Sequence, residues 1–131
     1  MDGEALGRWI QDYVGVFAAC ARGQQDVQAL LDYWGVPLLL ATRAGFVPLA
    51  TRDEVAATAQ KQFDRLRSAG YDHTELISFD ITSLEQKSAW CRGEFSWQRA
   101  DGDEIARPTV TFLIGETPGG PRIAALLPHQ P

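Results

Sequence analysis

The stretch SAWCRGEFSWQRADGDEIARPTVTFLIG, residues 88–115, reads as one β-hairpin. At its middle stands Asp101-Gly102, a dipeptide that tolerates the positive φ angles of a tight turn. Pairing outward sets Trp97 opposite Ala106, Phe95 opposite Pro108, Gly93 opposite Val110, Cys91 opposite Phe112 and Ala89 opposite Ile114. That face is entirely apolar. The alternate residues pair Ser96 with Arg107, Glu94 with Thr109 and Arg92 with Thr111, a polar face interrupted at Gln98/Ile105 and at Trp90/Leu113. Because strand side chains alternate, a slip of one residue would carry the apolar set into water, so the pattern fixes the register.

Upstream of the hairpin the period is three to four residues. Leu6, Trp9, Ile10, Tyr13, Val14, Phe17, Cys20 and Ala21 fall on one stripe of a helix expected from about Ala5 to Arg22 and ended by Gly23. Asp26 is the expected N-cap of a second helix burying Val27, Leu30, Leu31 and Trp34, stopped by Gly35 and Pro37. Two short strands, Val36 to Thr42 and Phe46 to Ala50, flank a turn at Arg43-Ala44-Gly45. Thr51-Arg52-Asp53-Glu54 fits a capping box. The third helix that follows turns Val55, Ala59, Phe63 and Leu66 inward, exposes Lys61, Asp64, Arg65 and Arg67, and ends at Gly70.

From Tyr71 the period falls to two. Between Tyr71 and Leu84, strict alternation puts Glu75, Ile77, Phe79 and Ile81 on one face and Thr74, Leu76, Ser78, Asp80 and Thr82 on the other. Pro118-Gly119-Gly120-Pro121 makes a further turn, Ile123 to Leu127 supplies the last strand, and Pro128-His129-Gln130-Pro131 is expected to fray. Three helices followed by a mainly antiparallel sheet define an α+β domain, 1–131, with its helices against the apolar face of the hairpin.

Bulk composition narrows the function classes. The 131 residues carry a net charge of −5, with basic residues scattered singly, which argues against nucleic acid. No run approaches the roughly 18 apolar residues of a membrane span, and the start, Met1-Asp2-Gly3-Glu4, is acidic where a secretory signal is basic. Cys20 and Cys91 have neither metal nor redox spacing and read as reduced packing residues. A cytoplasmic protein without membrane partner, metal or cofactor is the expectation.

The order of elements and the residues at their joints resemble the nuclear transport factor 2-like superfamily, which includes ketosteroid isomerases and SnoaL-like polyketide cyclases. The likeness is carried by the helix pair before Tyr33-Trp34, the strand Val36 to Thr42, Leu49-Ala50-Thr51-Arg52-Asp53-Glu54-Val55 and Arg67-Ser68-Ala69-Gly70-Tyr71. It continues through Phe95-Ser96-Trp97-Gln98-Arg99-Ala100-Asp101-Gly102 to Arg122-Ile123-Ala124-Ala125-Leu126-Leu127, and is greatest to small bacterial members without assigned activity. The resemblance implies a cone in which a curved sheet wraps the helices and a pocket opens between them. It also implies dimerisation through the outer face of the sheet, a frequent arrangement in the family.

The isomerase branch requires a carboxylate base on the strand after the second helix, and an oxyanion hole built from a helix-one tyrosine and a protonated aspartic acid on a later strand. Here the base position falls near Thr42, and a two-residue shift either way gives only Leu40, Ala41, Arg43 or Ala44. The acid position falls at Phe112 if the apolar hairpin face lines the pocket and at Thr111 if the faces are exchanged. Tyr13 alone is compatible, so isomerase activity is disfavoured. Single general bases remain conceivable in His73 or Asp80, for a SnoaL-like cyclase or dehydratase. His73 and His129, the two histidines, lack metal-site spacing.

Two readings of the remainder compete. Tyr13, Phe17, Trp34, Phe63, Phe95, Trp97 and Phe112 lie on inward stripes, and in a cone some of them would line a cavity suited to a small, largely apolar ligand, with Tyr13 and Trp34 as its polar contacts. Alternatively the aromatics fill the core and the sheet docks another chain. In that case Trp90 and Leu113 form an apolar centre, rimmed by Arg92, Glu94 and Thr111, on the face a homodimer would use.

Overall fold

In the computed structural model, which describes residues 2–129, the elements run α1 (Gly3–Ala21), a short 3-10 helix (Val27–Asp32), β1 (Trp34–Thr42), β2 (Gly45–Leu49), α2 (Arg52–Ser68), β3 (Tyr71–Glu85), β4 (Ser88–Arg99), β5 (Glu104–Ala106), β6 (Thr109–Thr117) and β7 (Gly120–His129). The seven-stranded sheet has the order β2-β1-β7-β6-β4-β3, with β5 extending the hairpin from β4. All neighbours are antiparallel except β1 and β7. Helices lead and a mixed, mainly antiparallel sheet follows, so the chain is α+β.

The hairpin keeps its register through most of its length: Ala89 pairs with Ile114, Cys91 with Phe112, Gly93 with Val110 and Trp97 with Ala106. Ala89, Cys91 and Ile114 have no exposed surface, and Phe112 and Phe95 are buried, so this face meets the core. At its tip the structure departs from a two-residue turn. Arg99 closes on Asp103, with its amide donating to the Asp103 carbonyl at 2.9 Å, and Gly102 takes φ of +90°. Gln98 then pairs with Glu104 rather than Ile105, and an irregularity at Ile105 restores the pairing at Trp97/Ala106. Ser96, expected on the outer face, is fully buried there because Glu104 accepts its hydroxyl proton at 2.5 Å and the Gln98 amide donates to its oxygen at 3.1 Å.

Three further expectations are corrected. The second helix is a single six-residue 3-10 segment, and Trp34 belongs to β1, opposite Ile123. The cause is the neighbourhood: Pro37 disfavours helix at the residue before it, and the Tyr33 carbonyl is already taken by the Ile123 amide at 2.7 Å. In β3, an irregularity at Ile77 reverses the alternation. Thr74 and Leu76 lie opposite Trp97 and Phe95, while beyond it Phe79 and Ile81 lie opposite Gly93 and Cys91, so all four share the inner face and Ile77 is left exposed. At the C-terminus, Pro128 and His129 continue β7 opposite Val110 and Thr109 instead of fraying; Gln130 and Pro131 lie outside the described residues.

α1 and α2 lie against the sheet through the stripes expected of them. Asp2 caps α1 by accepting from the Glu4 amide at 3.0 Å. At α2, Thr51 accepts from the Glu54 amide at 3.2 Å, while the Glu54 carboxylate reaches back one residue beyond the cap to the Ala50 amide at 2.9 Å. Ile10 and Ala21 of α1 and Val55, Ala59 and Phe63 of α2 are buried. No helix among the described residues is long and apolar enough to cross a membrane.

Candidate functional site

The packing of helices against the curved sheet is incomplete, and it leaves a cavity of about 900 Å³. Tyr13, Phe17, Trp34, Phe95, Trp97 and Phe112 line it, so six of the seven inward aromatics face open space. Phe63 does not. It is buried behind Phe17, with their rings 5.1 Å apart, and acts as core.

The aromatic walls brace one another. Trp97 stacks on Phe17 at 6.2 Å with an interplanar angle of 9°, Phe17 meets Tyr13 edge-on at 6.2 Å, Tyr13 meets Phe112 at 6.0 Å, and Phe112 meets Phe95 at 6.1 Å. Rings fixed by edge-to-face and stacked contacts resist collapse into the space beside them. Gly93 contributes by omission: a Cβ there would lie 2.8 Å from the Phe95 ring. Leu38, Leu40, Leu49, Val14, Val110 and Leu126 add to the apolar lining.

One hydrogen bond sits within this wall. The Trp34 indole Nε1 donates to the Tyr13 hydroxyl oxygen at 3.2 Å. That oxygen is thereby an acceptor, and its own proton remains available to an acceptor beyond the pair. Burial pushes the Tyr13 hydroxyl well above the ordinary tyrosine range, outweighing the lowering by Trp34, so the group is a neutral donor at physiological pH.

The polar lining comes from elsewhere. α2 presents Thr58, Gln62 and Arg65, spaced i, i+4 and i+7 and hence on one helical stripe, while the end of β1 and the turn after it bring Thr42 and Arg43, and β3 brings Thr74. Arg65 is exposed, as its helical position predicts, yet its place on the stripe beside Phe63 and Leu66 also puts it on the cavity. The helical spacing with Thr58 and Gln62 was the available signal. Thr74 faces the cavity because it pairs opposite Trp97.

Leu40, Ala41, Thr42 and Arg43 line the cavity, as does Phe112, whereas Thr111 is on the outer face and its hydroxyl meets His129 Nε2 at 2.6 Å. Among the described residues, no aspartate or glutamate lines the cavity. Asp80 is exposed opposite Arg92 on the outer face. His73 is held between Asp72, 2.9 Å from Nδ1, and Glu75, 3.8 Å from Nε2, away from the cavity lining. No cluster of three or more possible metal ligands occurs among the described residues.

On the outer face, sheet register assembles an apolar row that crosses four strands. Leu39 of β1 stands beside Ala125 of β7, Ala125 opposite Leu113 of β6, and Leu113 opposite Trp90 of β4. Leu39 is 40% exposed and Trp90 37%. A shallow groove of about 410 Å³ next to this row is lined by Phe46, Ala41, Leu127, Thr111 and Trp90, and Phe46 is 68% exposed. Arg92, Glu94 and Arg107 edge the row, with Arg107 3.7 Å from Glu94.

A sheet curved around two helices with an aromatic cavity between them defines the class of small α+β folds described as cystatin-like or NTF2-like. The chain belongs to the family of NTF2-like proteins designated DUF6841, whose model matches residues 4–131. Similar solved structures include an NTF2-like protein of unknown function from Shewanella oneidensis, with 20% identity and a TM-score of 0.67, covering 92% of this chain and 96% of that one. Another is a cystatin-like domain of unknown function from Nostoc punctiforme, with 15% identity and a TM-score of 0.70 over 99% of this chain and 77% of that one. A third is an uncharacterised cystatin-like protein from Caulobacter vibrioides, with 15% identity, a TM-score of 0.68 and coverage of 95% and 86%. At such identities the likeness concerns the fold. No curated protein matches the sequence.

Proposed function

We propose that the protein binds a small, largely apolar molecule in the cavity between helices and sheet. The observation that carries this reading is that Tyr13, Phe17, Trp34, Phe95, Trp97 and Phe112 surround about 900 Å³ of space instead of filling it. That volume is within the roughly 300–1,000 Å³ of small-molecule sites, and a mainly apolar wall with a few convergent polar groups is their usual composition. Tyr13 supplies a neutral donor for an acceptor atom of the ligand. Binding is favoured over isomerisation because the lining carries no carboxylate among the described residues. A cyclase or dehydratase working through His73 or Asp80 gains no support, since neither faces the cavity. We place the protein in the cytoplasm, in keeping with the two free, buried cysteines.

Calorimetric titration with naphthol, a flat apolar probe with one hydroxyl, tests the reading. One-to-one binding with a negative heat-capacity change is expected, together with its loss in Val14→Phe, which projects a ring into the cavity. Equal binding by the two proteins contradicts the reading.

A second reading rests on the row Leu39–Ala125–Leu113–Trp90: the outer face is the surface of a homodimer. Its apolar centre and polar rim at Arg92, Glu94 and Thr111 match the anatomy of such surfaces. The two readings are compatible, because the cavity and the row lie on opposite faces of one sheet.

A further inference from the structure

We infer that the occupant of the cavity carries an anionic group, of carboxylate type, and that Arg65 holds it at the exposed end of the cavity with Gln62 beside it. The inference rests on the cavity being a binding site and adds the chemical class of what enters it. Charge is the first ground. The chain has 17 aspartates and glutamates against 12 lysines and arginines, yet the described cavity lining contains two arginines and no acid. In a protein of net charge −5, a lining whose charged members among the described residues are arginines is a local inversion of the surface.

The state of Arg65 is the second ground. Four other arginines are committed to the fold, Arg67 donating to the Ala21 carbonyl at 3.2 Å, Arg99 to the Ala69 carbonyl at 2.8 Å, Arg22 to the Asp72 carbonyl at 2.9 Å and Arg122 to the Pro121 carbonyl at 2.8 Å, whereas Arg92 on the outer face, like Arg65, makes no such bond. Arg65 makes no ion pair with a described residue, although Asp64 adjoins it in sequence; Asp64 accepts instead from Gln60 at 2.9 Å. Position gives the third. Gln62 is one turn before Arg65 on the same stripe, and its amide can donate to the same oxygens. A guanidinium at the mouth of an apolar chamber stays hydrated while the chamber is empty and pairs with a carboxylate once the apolar body of the ligand is inside.

A cation in the last turn of a helix also complements the helix dipole, a role Arg65 and Arg67 both satisfy without any ligand. The test therefore reads ligand charge and not stability. Naphthoate and naphthamide, equal in shape and different in charge, are titrated calorimetrically near neutral pH into the wild type and Arg65→Gln. The wild type is expected to bind naphthoate about tenfold or more tightly than naphthamide, with the preference shrinking at high salt. Arg65→Gln is expected to bring the two to within about twofold, by weakening naphthoate alone. If naphthamide binds as well as naphthoate, the inference is overturned while the cavity reading stands. If the preference survives in Arg65→Gln, the anion is held elsewhere and the inference is overturned. If neither probe binds, the cavity reading fails and the inference with it.

Discussion

Trp34, at the start of β1, donates its indole N–H to the hydroxyl of Tyr13, on α1, across 3.2 Å and 21 positions of sequence. This bond ties helix to sheet within the cavity wall, where both residues are buried. Tyr13→Phe leaves the indole N–H without its acceptor. It is expected to lower unfolding free energy by about 1–3 kcal/mol, measured by urea denaturation. A double-mutant cycle with Trp34→Phe should return a coupling of about 1 kcal/mol; additive effects would show that the bond contributes nothing.

Gly93 is the point where β4 is thin enough for Phe95 to fold back over it. With a Cβ 2.8 Å from the Phe95 ring and 3.3 Å from Phe79, Gly93→Ala forces a buried ring to move. A loss of about 1–3 kcal/mol is expected, the usual cost of overpacking. Because Phe95 lines the cavity, naphthol affinity should fall as well. Unchanged stability in urea would mean that the ring yields freely.

Alkaline pH offers a test of burial. Burial pushes the Cys91 thiol up to about 11 from an ordinary 9.0, and the hydroxyls of Tyr13 and Tyr71 are also raised, by burial first. A thiol kept neutral in the folded chain while it ionises in the unfolded one stabilises fully below pH 9.0, and that contribution is lost as pH rises toward 11. The urea midpoint should therefore decline across this interval. Cys91→Ala should flatten the early part of the decline whatever it does to absolute stability. A decline of the same steepness in that variant would assign it to Cys20, whose thiol burial also raises, and to the tyrosines.

The outer row makes an independent forecast. If it is a dimer surface, Trp90→Asp and Leu39→Glu, both at exposed positions, should each shift the protein to monomer in sedimentation equilibrium while leaving its circular dichroism unchanged. A wild type that is monomeric at all concentrations rules the surface out.

Legibility from sequence followed the strength of the periodic signal. The register from Ala89/Ile114 to Trp97/Ala106 was readable because every inward residue on both strands is apolar and a slip would expose all of them. The irregularities at Ile77 and Ile105 were not. A bulge inserts one residue without altering composition, and Ile77 is as apolar as the inward residues around it. Trp34 reads as helical from sequence because its spacing from Leu30 and Leu31 fits a helical stripe as well as a strand entry, and only pairing with Ile123 decides. For the cavity, inward aromatics were legible, but which of them face space was not. Phe63 and Phe17 are both inward and 5.1 Å apart, yet only Phe17 borders the opening. Arg65 is not legible as a site residue because exposure and cavity contact coincide there, a distinction that one helix's periodicity does not carry.

The four tryptophans are placed to report the central claim separately. Trp34 and Trp97 line the cavity, Trp90 is on the outer face, and Trp9 packs on Tyr33 at 5.2 Å. In a heteronuclear NMR titration with naphthol, saturable shifts of the Trp34 and Trp97 indole N–H signals with an unmoved Trp90 signal are the predicted result. Movement of Trp90 with Trp34 and Trp97 unchanged, or no movement of any, contradicts binding in the cavity.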